Sequence, residues 1–265
     1  MSHVTVGGHE RGSWDLKAAV LVYGSEHNSR DESVYATVHG IEKRGQKYSL
    51  AAGMPATKEA CSQLARALGA ASTITGFMPE NLLYLGGRSI IWWRPPAPAT
   101  VYFDTTRTVA GDQTDDKTAA ALIGKKTGRT PQPGLVFAIT TSSWYVFAVA
   151  GAARPTLESK LLRAPYFNVW TSGQICTGNV RLPESLSPAA LQRFERAFFD
   201  SEFTHPNVRG KERLVNHPKG AYALWASLFQ LPAGQPFPEA HLIPLKSNLQ
   251  RLAKQLESGN RVDDE

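Results

Sequence analysis

A chain of 265 residues with 42% hydrophobic and 20% charged side chains is long enough for one large domain or two small ones, with the composition of an ordinary globular protein. No apolar run approaches the ~18–20 residues of a membrane span, and Met1-Ser2-His3-Val4 opens no basic segment followed by an apolar core, so neither a membrane helix nor a secretory signal is expected. The net charge of +6 sits in short, separated groups such as Lys43-Arg44, Lys125-Lys126 and Lys211-Glu212-Arg213, without helix-turn-helix or zinc-finger spacing, which argues against nucleic acid and suits an acidic partner protein equally well.

Residues 1–14 are polar and rich in Gly and Ser, a frayed terminus by composition. Leu16–Tyr23, Ser33–Ile41 and Lys47–Ala51 have strand length and pattern, and the polar stretches between them turn, so an antiparallel meander is expected. Thr57 then serves as the N-cap of a helix ending near Gly69. Its apolar positions Ala60, Cys61, Leu64, Ala65 and Leu68 place Cys61 on a buried stripe. Leu82–Leu85, Ser89–Trp93 and Thr100–Phe103 are short apolar segments split by Gly86-Gly87 and Pro95-Pro96-Ala97-Pro98. Trp92 and Trp93, adjacent on a strand, face opposite ways: one into a core, the other toward the surface or a domain contact.

From Thr105 to Pro133 the composition shifts to Thr, Asp, Gly, Lys and Pro, a loop or linker with a short helix near Lys117–Ile123. Gly124-Lys125-Lys126-Thr127 is not a phosphate loop: Ala119 stands where Gly is needed and Lys126 where Ser or Thr is needed, so it reads as a solvated basic loop. Leu135–Thr140 and Trp144–Ala150 form a hairpin across Thr141-Ser142-Ser143. Further on, Ser187 caps a helix opened by Pro188 whose Leu191, Phe194, Ala197 and Phe198 make an apolar stripe. Tyr222–Phe229 is a short helix or strand with Trp225 inward. Asn248–Gln255 is an amphipathic helix on Leu249, Leu252 and Leu256, followed by a polar tail that ends Asp263-Asp264-Glu265.

One stretch stands apart: Tyr166-Phe167-Asn168-Val169-Trp170-Thr171-Ser172-Gly173-Gln174-Ile175-Cys176. Pro165-Tyr166-Phe167 is extended chain, Thr171-Ser172-Gly173 a turn, and Gly178-Asn179 breaks any regular element, so the thiol of Cys176 is expected on a surface loop. The segment resembles the active-site stretch of ubiquitin-conjugating enzymes, where a His-Pro-Asn tripeptide leads through a Gly-containing turn to the catalytic Cys. Asn168, Gly173, Ile175 and Cys176 fall on that pattern at matching spacing. Tyr166 and Phe167 replace the His and Pro, and Thr204-His205-Pro206 follows downstream. These departures resemble the prokaryotic ubiquitin-conjugating family D, and within it the proteins of the PRTRC cassette of plasmids and mobile elements. That cassette also encodes a ThiF-like activating enzyme, a JAB-type peptidase and a small ubiquitin-like protein.

The resemblance implies an α+β fold: a UBC-like antiparallel sheet with flanking helices in the C-terminal half, preceded by a β-rich N-terminal subdomain with one helix. The divisions expected are 1–110, a loop or linker 111–133, a UBC-like domain 134–245, and a C-terminal helix and acidic tail 246–265. It implies a cytoplasmic enzyme without metal or organic cofactor, with a ubiquitin-like protein, a ThiF-like activating enzyme and the cassette's JAB-type peptidase as partners. Cys176 would be the nucleophile, since a thiolate gives an acyl product that still transfers readily to an amine; an unreactive cysteine is the alternative. Asn168 falls on the position that steadies an oxyanion through an uncharged amide, or it holds a turn through its backbone contacts. His205 is the first candidate for the base and His217, in Asn216-His217-Pro218, the second. Two other functions compete: a catalytically silent module that binds the ubiquitin-like protein or the activating enzyme, and a basic DNA-associated accessory protein of a plasmid.

Overall fold

The computed structural model describes residues 18–23, 35–44, 47–62, 77–107, 117–178, 180, 187–208, 212–259 and 262. The chain divides into two compact units, Met1–Thr75 and Gly76–Glu265, and is α+β throughout. In the first unit β1 (Ala18–Tyr23), β2 (Tyr35–Arg44) and β3 (Lys47–Pro55) form the expected antiparallel meander in the order β1-β2-β3. The helix α1 begins at residues 58–62, and the Thr57 hydroxyl accepts from the Ala60 N–H at 3.1 Å as its cap. Cys61 corrects the sequence reading: it is exposed, while Ala60 and Ser62 are the half-buried positions of this turn. Leu64, Ala65 and Leu68, the rest of the expected stripe, lie outside the described residues, as do residues 1–14 and the tail 263–265.

The second unit is built on a six-stranded antiparallel sheet. It contains β4 (Leu82–Leu85), β5 (Ser89–Arg94), β8 (Gly134–Thr140), β9 (Trp144–Val149), β10 (Lys160–Arg163) and β12 (Pro244–Asn248), in the order β12-β10-β9-β8-β5-β4. A smaller mixed sheet joins β6 (Ala99–Asp104), β7 (Lys125–Thr130) and β11 (Glu202–Phe203) in the order β11-β6-β7, with β11 parallel to β6. The helices are α2 (Lys117–Ala120), α3 (Leu191–Phe199), α4 (Gly220–Leu228) and α5 (Leu249–Ser258).

The central strands β8 and β9 are apolar without alternation because both faces of the sheet are covered. On one face Trp92, Phe137, Trp144 and Val146 meet α3 through Phe194 and Phe198 and α4 through Leu224 and Trp225. On the other, Ile91, Val136, Phe147 and Leu161 meet Leu249, Leu252 and Leu256 of α5, the three positions read from the sequence. Trp92 and Trp93 accordingly go to opposite faces, and the face that takes Trp93 is the one packed by α5.

The expected boundary at residue 110 is corrected. Ser89–Arg94 pairs residue by residue with Leu135–Thr140, so strands assigned to an N-terminal subdomain belong to the main sheet. The stretch 117–133 is not a linker: α2 and β7 lie in it, and β7 pairs with all six residues of β6. Its Lys-Lys-Thr-Gly-Arg-Thr sequence has no apolar alternation to announce a strand. Lys126 instead lies over the Phe229 ring at 5.0 Å, and Gly128 lets that ring approach the backbone. Residues 246–265 are likewise no separate segment, since β12 pairs with β10 and α5 seals the core. Ser187 stands before a 3-10 turn, Pro188–Ala190, that leads into α3; it offers its carbonyl to the Ala190 N–H, and its side chain makes no cap bond.

Phe198 lies at the crossing point of the first core, edge-on to Phe137, Trp144, Tyr166 and Phe199, all within 6.0 Å between ring centroids. Phe198→Ala is expected to cost about 3–5 kcal/mol, read as a lowered midpoint in urea unfolding.

Candidate active site

Strand β10 pairs with only the C-terminal part of β9, at Phe147 and Ala148. The first residues of β9 are left to another partner, and residues 168–176 take that place as a tight hairpin. The Val146 N–H donates to the Gly173 carbonyl at 2.9 Å and the Ile175 N–H to the Trp144 carbonyl at 2.8 Å. Within the hairpin, Trp170 N–H donates to the Gln174 carbonyl and Gly173 N–H to the Trp170 carbonyl, both at 2.8 Å, while Cys176 N–H donates to the Asn168 carbonyl at 2.7 Å. Thr171-Ser172-Gly173 is thus a three-residue loop closed by a left-handed Gly173 at φ +82°. A Cβ there would overlap the Phe147 ring, so glycine is required twice over. Ile175 is buried and Cys176, the next residue along, is exposed, as period-two alternation dictates.

The other edge of the hairpin holds the segment after α3. Trp170 bridges Asn207 in parallel, and the Asn168 N–H donates to the His205 carbonyl at 3.1 Å. Asn168 alone among the described non-glycine residues has positive φ, +61°. Its Nδ2 donates to the Glu202 carbonyl at 2.6 Å, and its Oδ1 accepts from the Thr204 hydroxyl at 2.9 Å and from the Thr204 N–H at 3.4 Å. The side chain thus ties the hairpin to the segment after α3 rather than bonding within its own turn.

Cys176, Asn168 and His205 line one cleft of about 880 Å³, together with Arg107, Trp170, Asp200, Glu202 and Thr204. Arg107 and Glu202 pair across its rim at 2.9 Å. Sequence reasoning had no access to Arg107, Asp200 or Glu202, because their nearness to the thiol comes from the parallel pairing of β11 with β6. Thr204 carried one signal only, its place beside His205.

Tyr166 and Phe167, just ahead of Asn168, are fully buried. The Tyr166 hydroxyl donates to Gln132 Oε1 at 2.7 Å, and Gln132 Nε2 in turn donates to the Thr130 carbonyl and hydroxyl at 2.9 and 2.7 Å. Burial pushes the phenol far above the ordinary range, so it stays neutral and serves packing. His217 is not among the residues lining the cleft. Its Nδ1 accepts from the Lys219 N–H at 3.2 Å, and its ring packs edge-on to His241 with centroids 4.8 Å apart. Burial, and then the neighbouring His241, hold its titration below the usual histidine value.

The family model described as Prokaryotic E2 family D matches residues 58–245. The chain belongs to this family. Membership gives the family D chain an E2-like role in a ubiquitin-like conjugation system, whose partners are in general a ubiquitin-like protein and an activating enzyme. Neither a curated protein nor a solved structure gives a significant match. Among the described residues of this E2 family D chain, no group of three or more His, Cys, Asp or Glu is placed to hold a metal ion. No described helix is long and apolar enough to cross a membrane.

Two outcomes follow from this geometry. Gly173→Ala in the family D chain is expected to lose about 1–3 kcal/mol through the overlap with Phe147 and the unfavourable φ, measured by equilibrium unfolding. His217, with its folded titration depressed, binds fewer protons in the folded than in the unfolded chain between that lowered value and the ordinary 6.5. Its contribution to stability is complete above 6.5 and lost as pH falls through that window. Thermal unfolding from pH 7.5 downward is expected to show a shallower loss in His217→Gln than in the unmodified chain.

Proposed function

We propose that the chain is a thioester carrier of ubiquitin-conjugating type. A ThiF-like activating enzyme presents the C-terminal acyl group of a ubiquitin-like protein as a thioester. The Cys176 sulfur attacks that carbonyl carbon; a new C–S bond forms, the old one breaks, and the thiolate returns to the activating enzyme. In the second step an acceptor amine attacks the Cys176 thioester. Its nitrogen gives a proton to the His205 ring, the C–S bond breaks, and Cys176 leaves as thiolate. One Nδ2 hydrogen of Asn168 serves Glu202, and the second donates to the oxyanion of the tetrahedral intermediate.

The observation that carries this reading is the gathering of an exposed Cys176, Asn168 and His205 in one cleft, with Tyr166 removed from any chemical role by burial. Family membership supports it at the level of an E2-like role. His217 is not among the residues that line that cleft, which favours His205 as the base. The six-stranded antiparallel sheet with α3 and α4 on one face is read as the UBC-like core, which the hairpin extends at the start of β9. Placement in a PRTRC cassette of a plasmid or mobile element, a JAB-type peptidase as further partner, and a cytoplasmic location complete the proposal.

A charging assay tests it, with the activating enzyme, its ubiquitin-like protein and ATP. A reductant-sensitive adduct is expected with the unmodified chain and with Cys61→Ala, and none with Cys176→Ala. Cys176→Ser should give an adduct that resists reductant. His205→Ala should charge but discharge to an amine on the order of 10²-fold more slowly. A ubiquitin-like protein that binds without ever forming the adduct, beside an active activating enzyme, makes the chain a silent docking module instead.

A further inference from the structure

Thr204 Oγ1 stands 2.9 Å from Asn168 Oδ1 and 2.9 Å from His205 Nδ1. Three groups share two short contacts, and the number of hydrogens available decides how they are filled. The Asn168 amide is oriented by its Nδ2, which donates to the Glu202 carbonyl at 2.6 Å, so the atom facing Thr204 is Oδ1 and can only accept. The Thr204 hydroxyl has one hydrogen. If it went to His205 Nδ1, Oδ1 and Oγ1 would face each other at 2.9 Å with lone pairs only, leaving the amide oxygen with the long 3.4 Å contact from the Thr204 N–H. If it goes to Asn168, both short contacts are hydrogen bonds, provided that His205 carries its proton on Nδ1.

We infer that Thr204 is a positioning residue that fixes the His205 tautomer, relaying from Asn168 so that Nδ1 is the protonated nitrogen and Nε2 the basic one. The chain of donors runs from His205 Nδ1–H to Thr204 Oγ1 and from Thr204 Oγ1–H to Asn168 Oδ1. Nε2 has no hydrogen-bond partner among the described residues, and His205 lines the cleft of Cys176. This has a chemical consequence. A neutral imidazole accepts a proton only at the nitrogen that lacks one, and the relay assigns that nitrogen in the resting protein, before any acceptor arrives. It also gives Asn168 a second task besides its backbone ties, since the amide end that accepts from Thr204 sets the ring chemistry one residue further on. The inference rests on the reading of His205 as the base of the transfer reaction, but the tautomer itself is a property of the uncharged chain.

The test is a long-range proton–nitrogen NMR spectrum of the full chain with 15N-labelled histidine at about pH 8, above the ordinary histidine range. The His205 signals are assigned by their loss in His205→Gln. The expected result is an Nδ1-protonated, Nε2-bare His205, retained in Thr204→Ser and lost in Thr204→Val. Discharge of a preformed thioester to an amine should slow about tenfold or more in Thr204→Val and recover in Thr204→Ser. An Nε2-protonated His205 in the unmodified chain overturns the inference, as does a Thr204→Val spectrum with the tautomer unchanged. The unmodified spectrum decides the matter even if Thr204→Val fails to fold. A chain that shows the expected tautomer yet never charges refutes the carrier reading alone.

Discussion

The site depends on how Asn168 is held. Its main chain joins Cys176 on one side and His205 on the other, and its side chain closes on Glu202 and Thr204. Holding a non-glycine residue at φ +61° is unfavourable by about 1–3 kcal/mol. Each hydrogen bond around it contributes a net of about 0.5–1.5 kcal/mol, so the bonds to the two segments together offset the strain. The bend at Asn168 is thus stable only when the hairpin and the segment after α3 are both in place. Thiol and imidazole are brought to one cleft by the same residue that carries the strain.

That tie is anchored to rigid structure on both sides. The hairpin is an added pair of strands on the part of β9 that β10 leaves uncovered, and β9 is buried along its whole length. The segment 202–207 starts as β11, parallel to β6, and leaves α3 immediately behind it. A three-residue loop with Gly173 against Phe147 fixes the hairpin register, because any side chain there collides with the sheet. Cys176 is therefore exposed by register: the alternation that buries Ile175 turns the thiol outward.

Elements with long apolar patterns were legible in the sequence. Leu249, Leu252 and Leu256 defined α5, Leu191 with Phe194 and Phe198 defined α3, and the apolar runs of β8 and β9 announced a hairpin. Among the strands that escaped notice, β7 and β12 are edge strands that carry Lys, Arg, Ser and Pro, while β10 and β11, with four and two residues, are too short to show a pattern. Domain division escaped for a different reason: the antiparallel pairing of Ser89–Arg94 with Leu135–Thr140 spans a stretch whose composition looks like a linker. Among the residues that line the cleft, the pairing of Asn168 with Cys176 was legible because their spacing is local and belongs to one hairpin. His205 was legible only through its neighbours, and nothing local separates it from His217, which also precedes a proline; only the parallel approach of residues 205–207 to 168–170 does.

The replacement of the upstream His-Pro by Tyr166-Phe167 then has a physical reading. Position 166 points into the most aromatic part of the core, against Phe198, Phe203 and Trp225, and its hydroxyl is satisfied by Gln132. An imidazole there would be smaller than the space and would lose the chain of bonds through Gln132 to Thr130. A buried phenol whose ionisation is suppressed cannot exchange protons near neutral pH. Any proton acceptor for the proposed reaction has to come from a segment outside the hairpin. The cleft supplies one, since residues 204 and 205 lie beside Asn168 and bring an imidazole whose Nδ1 is already engaged. Tyr166 and Phe167 thus serve packing, while the imidazole of the proposed proton transfer enters from after α3. The arrangement depends on a long-range contact: the chemistry proposed for Cys176 needs a chain whose α3 segment has docked on the hairpin.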